Sequence, residues 1–281
     1  MPRTLPTLFI SHGGGPWPWM RDEMAGRYDR LEMGLQQVPA LVGTTPDAIL
    51  MVSAHWEEVD FTVMSHPSPP MVYDYSGFPE YTYRIRYDAP GAPRLASQVR
   101  EYLAEAGIQA RLDPERGFDH GMYAPMAVMY PDADVPVSQL SLKRGLDPNE
   151  HLAAGRALAR LRDAGVLIVG SGLSYHNLRM FGPPARVPSA QFDDWLQRSL
   201  AADSAERESA LVHWAAAPAA RVAHPREEHL LPLMIAAGAA GRDAVSLIYH
   251  EDEFFGGISV SNFMFGPTVG GHRDAAAHSQ R

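Results

Sequence analysis

Three histidines in this sequence follow short apolar runs through small residues, and three imidazoles brought to one point can hold a metal ion. The runs are Ile10-Ser11-His12-Gly13-Gly14-Gly15, Val52-Ser53-Ala54-His55-Trp56, and Val169-Gly170-Ser171-Gly172 continuing to His176-Asn177. A fourth candidate lies in His224-Pro225-Arg226-Glu227-Glu228-His229. If Pro225 or Pro232 occupies the first turn of a helix, His229 falls near the helix N-terminus. The positive end of the helix dipole disfavours an imidazolium there and keeps the neutral ring that a metal needs. The plainer alternative is that Glu227 and Glu228 favour the helix start and His229 lies on the surface. His224 and His229 are five residues apart, so they do not form the HExxH zinc-protease pattern, whose histidines are four apart.

A fifth histidine sits in Arg116-Gly117-Phe118-Asp119-His120-Gly121-Met122. His120 is a candidate acid or substrate donor; alternatively, Asp119 caps a helix and His120 is exposed. Other chemistries find less support. Gly13-Gly14-Gly15-Pro16 lacks the lysine and hydroxyl residue of a phosphate loop and the glycine spacing of a dinucleotide fold. Gly170-Ser171-Gly172 is not a GxSxG nucleophile elbow. Trp17-Pro18-Trp19, together with Tyr73, Tyr75 and Phe78, offers aromatic surface for a planar ring, or simply core packing.

The elements that must position these groups read as α/β. Leu8–Ile10, Ala48–Val52, Val135–Leu140 and Val166–Val169 are short apolar runs suited to strands covered on both faces. Val245–Tyr249 adds a strand behind a late helix. Helical spacing covers 93–106, 149–164, 192–202 and 204–216, with Gly107 and Gly165 as stop signals. Strands alternating with helices predict one domain with a largely parallel or mixed central sheet flanked by helices. In such sheets ligands bind beyond the carboxyl ends of the strands, where the first three histidines fall. The stretch 65–93, rich in proline, glycine and tyrosine, is too long for a plain connector and is expected to serve function. The expected organisation is a catalytic domain over 1–267 and a flexible tail over 268–281.

The chain has 281 residues, 46% of them hydrophobic, enough for a core that needs no metal to hold it. Its formal charge of −9 argues against nucleic acid and anionic membranes as partners. No cysteine is present, which excludes disulfides, thiolate ligands and cysteine nucleophiles. The first residues carry no signal-peptide pattern and no spanning run is visible, so a cytoplasmic location is expected.

Taken together and in order, Ser11-His12-Gly13, Ser53-Ala54-His55-Trp56, Gly77-Phe78-Pro79, Arg116-Gly117-Phe118-Asp119-His120-Gly121, Gly170-Ser171-Gly172 with His176-Asn177-Leu178, and His224-Pro225 with Glu228-His229 resemble the class III extradiol dioxygenases. The likeness is to the DOPA 4,5-dioxygenase branch of the LigB superfamily, over residues 7 to 266. It implies a non-haem metal held by His12, His55 and His229, with His176 as acid/base and His120 behind the ligands or against substrate. The wider superfamily often uses a carboxylate as third ligand, and Glu228 lies beside His229. The triple glycine departs from the usual Gly-Ser-Pro form. The implied reaction is Fe(II)-dependent insertion of O2 into a catechol, giving a muconic semialdehyde-type product. Trp17, Tyr75 and Phe78 would contact the ring. Zn(II) is the other candidate metal, and a zinc-dependent hydrolase or lyase is the competing reading. A non-catalytic metal-binding protein is a third, against which His176 counts as a histidine beyond a sufficient ligand set. A homo-oligomer is compatible with the sequence.

Overall fold

The computed structural model describes residues 4–266. The expected tail over 268–281 lies outside the described residues. Eight strands form one mixed sheet: β1 Thr7–Ser11, β2 Ala48–Glu58, β3 Phe61–Met64, β4 Ala110–Asp113, β5 Val137–Lys143, β6 Val166–Gly172, β7 Val245–Phe254 and β8 Ile258–Phe265. Their order across the sheet is β4-β3-β5-β2-β6-β1-β8-β7. The middle of the sheet, β5-β2-β6-β1, is parallel, and β8 and β7 continue it antiparallel from β1. The parallel core therefore ends in one common carboxyl edge, to which β1, β2 and β6 all deliver side chains.

Ten α-helices accompany the sheet among the described residues: α1 Arg21–Met24, α2 Asp29–Gln36, α3 Val38–Val42, α4 Pro93–Glu105, α5 His120–Met129, α6 Pro148–Leu158, α7 Arg186–Ala201, α8 Ser204–Val212, α9 Ala220–Ala223 and α10 Leu231–Ala240. All ten residues of α10 are buried, as expected for a helix apolar on every side. It packs on β6, β1 and α6. Its Leu231, Leu233, Met234 and Ile235 each contribute about 1.5–3 kcal/mol by leaving water. Pro232 sits in its first turn, so of the two prolines it is the later one that starts the helix. Asp147 caps α6 by accepting from the Asn149 N–H at 2.8 Å. No helix among the described residues is long and apolar enough to cross a membrane.

The expected architecture is present, with additions. The strands β3 and β4 are only four residues long, too short to show a period. In β8 the buried Ser259, Ser261 and Asn262 break what would otherwise read as an apolar run. Three short helices fill residues 21–42. The stretch 65–93 contains no strand and one short 3-10 helix, Glu80–Arg84. It is anchored to the body by a parallel bridge from Met71 to Phe118.

Candidate metal centre

His12 leaves β1 directly. Its ring Nδ1 lies 3.0 Å from Ser171 Oγ, and that hydroxyl donates its own proton to the Gly121 carbonyl. The His12 Nδ1–H must then be the donor to Ser171, which leaves the lone pair on Nε2. The backbone of His12 is fixed as well, its N–H donating to the Gly172 carbonyl and its carbonyl accepting from Trp17 Nε1 at 2.7 Å.

His55 does not follow β2; it lies within it. The ladder to β5 registers Val52 with Leu140 and Glu57 with Leu142, so Ser53 to Trp56 oppose Ser141 alone. Such a bulge turns a side chain out of the strand's normal alternation. Ser53 holds the bulge by accepting from the His55 N–H at 3.2 Å and donating to Asp119 Oδ1 at 2.7 Å. Asp119 is wholly buried and also accepts from Arg116 Nη2 at 2.7 Å and Gln139 Nε2 at 2.8 Å. It stands at the N-cap position of α5 but makes no capping bond, because its oxygens are committed to these three donors. His120, the first residue of α5, is buried rather than exposed.

Two carboxylates organise four of the rings. Asp74, from the long stretch, accepts from His120 Nδ1 at 2.8 Å and faces His55 Nδ1 at 3.5 Å. Glu228 Oε1 lies 3.2 Å from His176 Nδ1 and 3.0 Å from His229 Nδ1. A carboxylate on Nδ1 fixes the proton there and turns the basic Nε2 the other way. Burial alone would raise both carboxyls. The hydrogen bond and charge of His120, with His55, instead hold Asp74 below the usual range, and His176 does the same for Glu228.

The rings converge. The His12 and His55 Nε2 atoms are 3.1 Å apart. Ring centroids of His12 and His229 are 5.2 Å apart, and those of His55 and His229 are 4.8 Å apart. His55 lies 4.0 Å from His120, and His176 stacks on His229 at 3.4 Å. Donor atoms of His12, His55 and His120 all lie within 4.8 Å of one another, as do those of His176, Glu228 and His229. The first trio places His120 closer to the centre than the sequence suggested. His12 Nε2 directs its lone pair toward His55 Nε2, and with the His55 proton on the Nδ1 that faces Asp74 both nitrogens are placed to share one cation. Their 3.1 Å separation is close to the roughly 3 Å between two imidazole nitrogens each about 2.1 Å from one ion at a right angle. The donor set therefore fits a divalent transition metal.

Burial pushes His12 and His229 well below the ordinary histidine value, and the surrounding histidines push further. Burial lowers His55 to about 4, with the His120 ring adding to it against the opposing pull of Asp119 and Asp74. These three rings are neutral at pH 7, the state in which an imidazole ligates.

The cluster floors a cavity of about 450 Å3. Phe78, Leu173, Phe254 and Phe255 give it apolar walls. Trp17, expected against substrate, lies instead beneath the floor, fully buried and stacked on Tyr28 at 4.8 Å. Tyr75 also stands off the wall: its hydroxyl donates to the Thr82 carbonyl at 2.6 Å and its ring backs Phe78 at 5.2 Å. Asp74, Arg27 and Tyr28 belong to the site but carried no recognisable pattern in the sequence. For Asp74 the only signal was its place in a long tyrosine-rich loop.

Two glycines are required by close approach. A Cβ at Gly172 would lie 2.0 Å from the His229 carbonyl oxygen, and one at Gly13, where φ is +77°, would lie 2.3 Å from Trp17 Nε1. The small residues at this sheet edge thus admit neighbouring backbone and the ring under the floor.

The catalytic LigB subunit of aromatic ring-opening dioxygenases matches this chain over residues 7–266. The 4,5-DOPA dioxygenase extradiol of Beta vulgaris is 38% identical over 267 residues, covering 93% of this chain and 97% of its own length. The protein of the same description from Escherichia coli is 36% identical over 241 residues, covering 84% of this chain and 85% of its own. The crystal structure of an uncharacterized protein from Escherichia coli K12 superposes with a TM-score of 0.73 at 29% identity, covering 93% of this chain and 100% of that one. The histidine cluster at the sheet edge thus sits in a chain matched along nearly its whole length, and the chain belongs to the LigB family of ring-cleaving dioxygenases.

Proposed function

We propose that the chain opens a catechol ring in an Fe(II)-dependent extradiol reaction, giving a muconic semialdehyde-type product. The observation that carries this reading is the 3.1 Å approach of two inward-facing imidazole nitrogens, on rings held neutral by burial, at the floor of an apolar cavity large enough for an aromatic ring.

His12, His55 and His229 would hold the metal. Their ring centroids lie 4.8–5.2 Å from one another, and each has its Nδ1 turned to Ser171, Asp74 or Glu228. Ferrous iron held there would supply a redox-active Lewis acid for the catechol and O2, whereas zinc, lacking redox chemistry, would supply only Lewis acidity.

The remaining steps belong to the protein. His176 is partly exposed, lines the cavity, and has Nδ1 on Glu228, so its Nε2 is free to take a proton from a substrate hydroxyl. Glu228 stabilises the imidazolium that results, and the same Nε2 returns the proton to a departing oxygen. His120, held by Asp74 through both its ring and its backbone N–H, hydrogen-bonds a substrate oxygen from the opposite side. Phe78 and Phe255 confine the ring and exclude water.

The test is anaerobic reconstitution with Fe(II) or Zn(II), addition of a catechol panel, then admission of air. Iron-dependent oxygen uptake with a yellow product is expected. Turnover with zinc and no oxygen uptake would sink the proposal in favour of a hydrolase or lyase.

A further inference from the structure

Arg27 is the only lysine or arginine lining the cavity among the described residues, and no aspartate or glutamate lines it. It comes from the turn between α1 and α2. Ala25 and Gly26, at φ +49° and +78°, both adopt the left-handed conformation there, and the chain then turns Tyr28 into the body and leaves Arg27 exposed at the cavity. An alanine held in that conformation is uncommon. Its counterpart across the mouth, Phe255, is strained in the same way at φ +49°. The Arg27 guanidinium carbon lies 5.8 Å from the Phe255 ring centroid. Such strain recurs where a wall is shaped for a ligand.

Acidic residues surround Arg27 in sequence, yet it makes no ion pair among the described residues. Glu32 pairs with Arg21, and Glu23 accepts from the Tyr81 hydroxyl. An aromatic face orients a guanidinium without neutralising it. Arg27 therefore presents free N–H donors, in a fork that fits a carboxylate, at the mouth of an otherwise apolar chamber. On a chain of net charge −9, a local cation is what an anionic ligand needs to enter.

We propose that Arg27 selects catechols whose side chain is net anionic, a carboxylate with no neighbouring ammonium, by binding the carboxylate at the mouth while the ring reaches the histidines. A zwitterionic side chain would bring an ammonium to a wall that has a cation and no carboxylate to receive it. The proposal rests on the catechol reading above.

Three substrates that differ only at the side chain test it: 3-(3,4-dihydroxyphenyl)propionate, its methyl ester, and the corresponding α-amino acid. Ring opening of each is measured with the iron-loaded wild type, Arg27→Gln and Arg27→Lys. Anaerobic calorimetric titration of the same ligands gives affinity without turnover. The acid is expected to have the lowest KM and Kd. Arg27→Gln should raise both for the acid by about tenfold or more and leave the ester within about twofold, while Arg27→Lys retains part of the preference. Equal effects on acid and ester, or an amino acid bound as tightly as the acid by the wild type, would overturn the assignment. If no ring opens but the acid's affinity still depends on Arg27, the ring-opening reading falls and the Arg27 assignment stands. If all three open with no dependence on Arg27, the reverse holds.

Discussion

His151 and His224 are buried as deeply as His12 and His229, and burial lowers them to about 4 and about 3, yet neither borders the cavity. The ring nitrogens of His151 are used by the backbone, Nδ1 donating to the Asp147 carbonyl at 2.8 Å and Nε2 accepting from the Lys143 N–H at 3.2 Å. His224 donates through Nε2 to the Ser174 carbonyl at 2.9 Å and packs between Phe192 and Trp214. In the cluster, by contrast, polar groups hold Nδ1 and Nε2 faces inward. Depth and a depressed pKa are therefore shared by structural and functional histidines. What separates them is where the second nitrogen points and whether open space lies in front of it.

The strongest way to break this distinction is at the centre. His12→Ala should abolish tight metal binding, from about one ion per chain to near none, together with turnover. Metal analysis after dialysis, alongside an oxygen electrode, reads both, and a variant that keeps its iron would remove His12 from the ligand set. His176→Ala should separate the two readouts. Metal content stays near wild type while kcat falls by about 10^2–10^4, the usual worth of a general acid/base. A kcat within a few-fold of wild type would end its proton-transfer role. Asp74→Asn probes the support of the rings and should weaken metal affinity or activity by about 10–100-fold. Competition with a chromophoric chelator measures it, and an unchanged affinity would make Asp74 a bystander.

The smallest effect on turnover concerns the structural pair. Folded-state values of about 4 and about 3 lie below the unfolded value of about 6.5. The unfolded chain thus binds more protons across that interval, and stability falls as pH drops from about 6.5 toward 4. The loss attributable to His151 is on the order of 3 kcal/mol at the bottom of that window. His151→Gln can keep both backbone bonds without titrating there. It should flatten the urea-midpoint profile over this range while leaving metal content and kcat unchanged. A profile as steep as wild type would show that acid sensitivity originates elsewhere.

Much of the centre was legible because its histidines stand beside strands that announce themselves. Ile10, Val52 and Val169 close apolar runs, and the residues that follow each had to meet at one sheet edge. The bulge that carries His55 was not legible, since a register shift depends on the partner strand and on Asp119, far away in sequence. Nor were Asp74 and Arg27, whose importance comes from loops folded across the mouth. Trp17 and Tyr75 show the opposite failure. An aromatic near a site motif is equally suited to wall or foundation, and only packing decides which. β8 was hidden because Ser259, Ser261 and Asn262 look like surface residues. Ser261 Oγ lies 3.0 Å from His250 Nδ1, and Asn262 Oδ1 accepts from the Ser11 N–H at 2.7 Å, so each finds a partner inside the sheet.

The contact between Gly172 and the carbonyl of His229 has a mechanical corollary. The hydrogen atom on one α-carbon sets the gap between β6 and the segment leading into α10, as a shim sets the spacing of two plates. A single methyl group inserted there would touch no ring nitrogen, yet it would lever His229 away from its neighbours. Control of the ion's surroundings is thus lodged partly in a residue that has no side chain.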